Sequence, residues 1–484
     1  MPLLVALAGP VVPGAQGGSE GRGTSLTAFL LGLVTGLVYF GGTLYWVGGV
    51  MRHYGGLSLP VSVGVALLLV AYLALYPAFF ALVCSRLLRA FGPVALLVSP
   101  AAWVASEFGR GYLFTGFPWV LLGYSQAHVL QIAQIASLFG IFGLSALVAL
   151  VNAALAYLLH APSLRSRVVT VAVAAGCVVA ASAWGTLRLH DARLLREGTP
   201  LEVGIVQGNV PQDEKWDAAR ASSVFDHHVQ LTRQAAARGA RFIVWPESST
   251  PFMLEEDPYG RDAVRGLAVQ TGSYLLIGSD QLERSQPPRY YNAAFLVGPD
   301  GRTLGTYRKI HLVPFGEYVP LKQVFFFAAP LVEAVSDFSA GDKAVLLPFG
   351  PHPVSTAICY EVVYPDLIRR FVAAGSQLLT TITNDAWFGR SSAAYQHFEQ
   401  AAVRSIEEGR YLVRSANTGI SGIVDPYGRV LAQSRLFESA VLVGQVRLLT
   451  GTTLYARVGD LVAYVAIVLT LAALVSTITI RRRA

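Results

Sequence analysis

Cysteine, lysine and acidic charge are all scarce in this chain, and each shortage excludes something. Of 484 residues only 3 are cysteine, and two of them, Cys84 and Cys177, stand in long apolar stretches. Cys359 is therefore alone in the polar part of the sequence, which excludes a structural disulfide or a cysteine metal cluster there. Charged residues make up 14% of the chain against 53% hydrophobic, and the mean hydropathy is +0.49. That balance excludes an ordinary soluble protein. Between Gly21 and His190 the only acid is Glu107. Lysine is used only at Lys215, Lys309, Lys322 and Lys343 in a chain with 37 basic residues, so each lysine invites a chemical reason. No repeat of fixed period or low-complexity tract stands out.

What the sequence does have is long uncharged runs. Six of them, at residues 26–50, 58–83, 91–106, 132–159, 168–187 and 461–480, approach or exceed the roughly 20 residues needed to cross about 30 Å of hydrocarbon; the third is short. None shows an amphipathic face, which argues against buried helices of a soluble protein. The arginines set an orientation. If the first run starts in the cytoplasm, that side collects Arg22, Arg86, Arg89, Arg165, Arg167 and Arg481 to Arg483, while the opposite short loops hold mainly Arg52 and Arg110. The positive-inside rule then puts both termini in the cytoplasm and the polar region outside it. The expected division is an N-terminal segment 1–25 of unsettled role, transmembrane helices over 26–189, an extracytoplasmic domain over 190–457 and a last transmembrane helix over 458–484. An unpaired cysteine in an oxidising compartment needs a purpose.

The polar region reads as α/β. Short β-branched runs at 201–206, 242–245, 274–278, 293–297, 354–359, 378–383, 411–415 and 422–424 predict strands, and helical patterns fit 218–238, 257–270, 365–374 and 394–409. Asp300-Gly301 and Asp425-Pro426-Tyr427-Gly428 are turn signals, so a mixed sheet packed by helices is expected.

Three segments carry reactive groups. Pro246-Glu247-Ser248 follows an apolar strand, where a partly desolvated carboxylate can act as a base or simply cap the turn. Lys309, beside Arg308, is a compact ammonium suited to a developing oxyanion, although surface charge is the commoner explanation for a lone lysine. His311 reads as a structural hydrogen bonder. Cys359 ends an apolar strand and precedes a helix expected from Pro365; such an elbow exposes the side chain, and a helix start with a lysine nearby is expected to lower the thiol pKa. A buried, inert cysteine is the competing reading.

The order Glu247, Lys309, Cys359 resembles the Glu-Lys-Cys triad of the nitrilase superfamily, an αββα sandwich. Further segments are similar to the apolipoprotein N-acyltransferase family: Gln207-Gly208-Asn209, Lys215-Trp216-Asp217, 244–248, 312–320, 358–365, Asn384-Asp385-Ala386-Trp387-Phe388-Gly389, 417–422 and Thr115-Gly116-Phe117-Pro118-Trp119. The resemblance spans about residues 26 to 480. It implies an α-helical transmembrane bundle joined to a nitrilase-like domain. It also implies transfer of an acyl chain from a phospholipid, through a Cys359 thioester, to the α-amino group of a diacylglyceryl-cysteine lipoprotein. Glu247 would be the base, with Lys309 and the Tyr360 N–H holding the oxyanion. Glu317 and Glu361 are expected to support these groups. Trp216 and Trp387 are expected to line an acyl groove, and Phe326, within Phe325-Phe326-Phe327, to dip into the membrane. No cofactor, metal or nucleic acid is implied; a monomer in the bacterial inner membrane is. That family has eight spanning helices, and the shortfall here lies at the N-terminus, where a truncated or misassigned start would account for it. A membrane-tethered amidase is the alternative enzyme, and a transporter with a degenerate polar domain the alternative of another class.

Overall fold

The computed structural model describes all residues except 10–19, 213, 216, 218, 319–337 and 482–484, and the side chains of 20–24, 480 and 481. The chain divides into two compact units. One gathers residues 1–49, 58–191 and 458–484, and the other gathers 50–57 and 192–457.

The first unit is helical: α1 (Pro2–Ala8), α2 (Glu20–Thr43), α3 (Trp46–His53), α4 (Leu59–Phe91), α5 (Ser99–Tyr112), α6 (Ala136–His160), α7 (Leu164–Asp191) and α12 (Leu461–Arg481). Among the described residues, five segments are long and apolar enough to cross a membrane, α4 and α5 counting within one of them. Two sequence expectations change. The run predicted at 26–50 breaks between α2 and α3. The short third run is no span of its own: a 3₁₀ stretch over Gly92–Val98 follows α4, and α5 turns back along it. Ser106 Oγ donates to the Tyr76 carbonyl at 3.3 Å and the Phe80 and Trp103 rings meet edge-on at 5.1 Å, so α5 packs back against α4.

In the second unit, among the described residues, twelve strands form two six-stranded sheets. These are β1 (Thr199–Gln207), β2 (Phe242–Val244), β3 (Tyr274–Glu283), β4 (Arg289–Val297), β5 (Thr303–Arg308) and β6 (Leu347–Phe349), then β7 (His352–Ile358), β8 (Leu379–Thr383), β9 (Leu412–Ala416), β10 (Gly422–Val424), β11 (Val430–Gln433) and β12 (Ala440–Leu448). The sheet orders are β12-β1-β2-β3-β4-β5 and β6-β7-β8-β9-β10-β11. Along both, neighbouring pairs run antiparallel, parallel, parallel, antiparallel, antiparallel. Helices α8 (Ala221–Ala237) and α9 (Pro258–Thr271) connect β1 to β2 and β2 to β3; α10 (Pro365–Ala373) and α11 (Ser392–Glu408) make the matching crossovers in the second half. The unit is thus two copies of one βαβαβββ design, residues 199–308 and 352–433, with helices covering parallel strands as buried parallel sheets require.

Local chemistry explains the boundaries. Asp257 caps α9 by accepting from the Gly260 N–H at 2.7 Å, and α10 opens on Pro365, where the missing N–H costs nothing. The turn signals at Asp300-Gly301 and Asp425 to Gly428 close the β4–β5 and β10–β11 hairpins, with Gly301 and Gly428 at φ +77° and +80°. Val206, Ile243, Trp245, Leu275, Ile277 and Phe295 pack with Leu231 and Leu267 of α8 and α9 into one core, and the Ser415 hydroxyl of β9 donates to the Val206 carbonyl of β1 at 2.9 Å. These contacts hold β1 to β4 together and tie the two sheets; the candidate residues lie just beyond the ends of β2, β5 and β7.

Candidate active site

Glu247 stands three residues beyond β2, Lys309 directly after β5 and Cys359 directly after β7. All three are buried, Lys309 most completely at 1% exposure. Gly278 of β3 makes the first placement possible, since a Cβ there would fall 2.2 Å from the Pro246 carbonyl oxygen. The Glu247 carboxylate is held at both oxygens: Oε1 accepts from Asn292 Nδ2 at 2.6 Å and faces Lys309 Nζ at 3.5 Å, and Oε2 accepts from the Asn384 N–H at 2.8 Å. Lys215 Nζ donates to the Glu247 carbonyl at 3.1 Å.

Lys309 lies between two carboxylates. Its Nζ donates to Glu317 Oε1 at 2.9 Å, while Asn292 Nδ2 reaches the same oxygen at 3.0 Å and Glu317 Oε2 accepts from the Val313 N–H at 2.8 Å. Burial alone would strip a lysine of its proton, but Glu317 and Glu247 hold the ammonium well above its ordinary range. The neighbouring His311 ring is driven by burial and then by Lys309 down to about 4, so it stays neutral at pH 7.

Cys359 begins a 3₁₀ turn, Cys359–Val363, rather than ending the strand, and has φ +53°. A non-glycine residue in that region is strained and needs support from its surroundings. Glu361 supplies much of it. Its Oε2 accepts from the Ile358 N–H at 2.7 Å, and its Oε1 accepts from the N–H groups of Ile310 and His311 at 2.6 and 3.1 Å and from the Tyr307 hydroxyl at 2.8 Å. One carboxylate therefore ties the Cys359 elbow to the Lys309 loop. Burial nevertheless pushes its pKa up to about 7.

The expected lowering of the thiol pKa is not what the site produces. Burial pushes the Cys359 thiol well above its ordinary value; Glu247 pushes in the same direction, and Lys309 and a hydrogen bond from Thr383 oppose without reversing it. The reason is chiefly desolvation: the thiol is buried beside the Glu247 carboxylate, and the Lys309 ammonium offsets only part of this. The resting group is a thiol, so proton transfer must accompany its use as a nucleophile.

Tyr360 is buried beside Tyr364, their rings edge-on at 5.2 Å. Trp387 is half-buried and its ring meets Tyr54 edge-on at 4.8 Å, while the Tyr54 hydroxyl donates to the Ala386 carbonyl at 2.8 Å. Trp216 and Phe326 lie outside the described residues. Sequence reasoning missed Asn292, the polar residue that bridges Glu247 and Glu317, although its signal is plain: an amide next to the buried run Ala293 to Val297 of β4. Among the described residues no group of acidic, histidine and cysteine side chains is arranged to hold a metal.

A cysteine, a lysine and a carboxylate at strand ends of a two-sheet sandwich define an enzyme of the carbon–nitrogen hydrolase class. The comparisons agree: the Carbon-nitrogen hydrolase family matches residues 202–454, and the Apolipoprotein N-acyltransferase N-terminal domain matches residues 4–154. An apolipoprotein N-acyltransferase of Geobacter metallireducens is 41% identical over 96% of this chain and 89% of its own length. One of Methylococcus capsulatus is 37% identical over 90% and 84%. An amidase from Nesterenkonia sp. overlays with a TM-score of 0.40 at 21% identity, covering 52% of this chain and 92% of the amidase. The chain belongs to the apolipoprotein N-acyltransferase family.

Proposed function

We propose that this protein moves an acyl chain from a phospholipid to the N-terminal α-amino group of a diacylglyceryl-cysteine lipoprotein, with Glu247, Lys309 and Cys359 as the reacting groups. The observation that carries the reading is the shared environment of these three side chains, joined to a helical unit with apolar spans. Glu247 takes the Cys359 proton as sulfur attacks the ester carbonyl, forming the C–S bond. Lys309 and the Tyr360 N–H receive the developing oxyanion. Collapse breaks the ester C–O bond, and Glu247 returns its proton to the departing lysophospholipid oxygen. The lipoprotein amine then attacks the thioester, Glu247 takes a proton from nitrogen, and the C–N bond forms as the thiol is released. Donor and acceptor use one site in turn, so ping-pong kinetics are expected.

Glu317 keeps Lys309 charged and placed, and Glu361 holds the elbow. Trp387 and Trp216 are assigned to the acyl groove, and Phe326 to a membrane-dipping contact with the lipid substrate. The arginine distribution supports insertion in the bacterial inner membrane with the α/β unit on the periplasmic side, and the protein is read as a monomer acting without a cofactor. The test is acceptor dependence. Labelled phospholipid should give amide product with a diacylglyceryl-cysteine peptide and little free fatty acid without it; rapid fatty acid release in the absence of acceptor would instead favour a membrane-tethered amidase-type hydrolase.

A further inference from the structure

A second group of buried side chains lies behind Cys359 and takes no part in the reaction above. Asp385, His397 and Arg414 are all completely or almost completely buried. Asp385 Oδ1 accepts from the Thr383 hydroxyl at 2.9 Å, and Oδ2 accepts from Arg414 Nη2 at 2.8 Å. The His397 ring sits between this pair and the nucleophile: Nδ1 lies 3.0 Å from both Asp385 Oδ1 and Arg414 Nη2, and Nε2 lies 3.1 Å from the Cys359 carbonyl oxygen. The packing leaves no slack, because a Cβ on Gly419 would fall 2.2 Å from Asp385 Oδ2.

The chemistry of the atoms settles the roles. A carbonyl oxygen only accepts, so Nε2 must carry the proton; Nδ1 faces a donor, Arg414 Nη2, and an acceptor, Asp385 Oδ1, so it accepts from the guanidinium in the neutral ring and would donate to the carboxylate in the charged one. Burial and the Arg414 charge lower the His397 pKa, with Asp385 opposing, which favours the neutral ring with its proton on Nε2. A cysteine, histidine and aspartate in sequence suggest a protease-type triad, but here the imidazole addresses the backbone of Cys359 and not its sulfur. It is not placed to remove the thiol proton.

We propose that His397 is a positioning residue: its Nε2–H holds the Cys359 carbonyl and keeps the φ +53° elbow in the conformation that presents the thiol to Glu247, with Asp385 and Arg414 fixing the ring. The inference rests on the reading of Cys359 as the nucleophile. Helix α11, which carries His397, is thereby coupled to a strained residue that would otherwise relax. A shift of about 1 Å at a reacting atom costs on the order of 100-fold in rate.

The test compares H397Q, H397N and H397F in the full-length, detergent-solubilised protein, measuring the rate of acylation by mixed phosphatidylethanolamine and phosphatidylglycerol micelles. The glutamine amide can reach the Cys359 carbonyl, whereas the asparagine amide replaces only the Nδ1 side. H397Q is expected to stay within about tenfold of wild type, and H397N and H397F to fall by roughly another tenfold or more, with the KM for phospholipid unchanged. Equal rates for H397Q and H397N, both near wild type or both slow, would overturn the proposal. Should these variants fail to fold, nitrogen NMR of histidine-labelled wild type decides: a hydrogen-bonded Nε2–H supports the assignment and a neutral Nδ1–H ring contradicts it. The wild-type adduct, measured alongside, separates the two levels. No acylation of Cys359 would overturn the parent reading itself.

Discussion

The two halves of the α/β unit share a topology and differ in what they place at equivalent strand ends. The second strand of each parallel set delivers a carboxylate, Glu247 after β2 and Asp385 after β8. Glu247 has amide donors on its oxygens and an ammonium at 3.5 Å, and it acts on the Cys359 thiol electrostatically. Asp385 has a guanidinium at 2.8 Å and a hydroxyl at 2.9 Å, which hold its carboxyl well below the usual carboxylate range although burial alone would raise it. The same position in one design thus places one carboxylate against an ammonium at 3.5 Å and locks the other as an anion against a guanidinium at 2.8 Å, although both are buried.

Substitutions should separate the halves. The largest effect is expected for E247Q, which keeps shape and donors but cannot take a proton: acyl transfer should fall by roughly 100-fold to 10,000-fold with the thermal unfolding temperature nearly unchanged. K309M should follow at about 100-fold to 1,000-fold in kcat, and should also destabilise the fold because Glu247 and Glu317 are left facing each other without a cation. D385N inverts the pattern. Leaving the Arg414 guanidinium buried and unneutralised should cost about 3–5 kcal/mol of stability, measured by unfolding. The smallest effect concerns Glu361. With its carboxyl near pH 7, protonation as the pH falls through that value weakens an acceptor of four donors, so wild-type acylation should decline on the acid side. In E361Q that acid limb should disappear at a lower overall rate; an unchanged limb would assign it to another group.

How much of this was legible in the sequence depends on where each part lies. The strands that became β1, β2, β3, β4, β7, β8, β9 and β10 were visible because they are central and buried, so their β-branched runs are undiluted. Edge strands β5, β6, β11 and β12 were not, because they lie at the sheet margins and much of β11 and β12 is exposed or half-exposed, leaving no apolar signature. β12 also pairs with β1 from the far end of the domain, Leu448 opposite Thr199, a match no local pattern contains. The duplicated topology left no repeat because the halves share strand order and not side chains. Glu247, Lys309 and Cys359 were singled out through their segments, and the fold buries all three at strand ends. The direction of the thiol shift was missed because it depends on how deeply the tertiary fold buries Cys359 and on the Glu247 carboxylate brought beside it, neither of which a local pattern contains. The helical unit was legible in composition but not in its turns, since hydropathy does not register the break between α2 and α3 or the reversal after α4.

The claim that Cys359 carries the acyl group between donor and acceptor is tested most directly by mass spectrometry of the protein after exposure to phospholipid. One acyl chain is predicted on the peptide containing Cys359, absent in C359A, sharply reduced in E247Q and discharged as an amide when a diacylglyceryl-cysteine peptide is added. An adduct on another residue, or product formed by C359A at the wild-type rate, would contradict it.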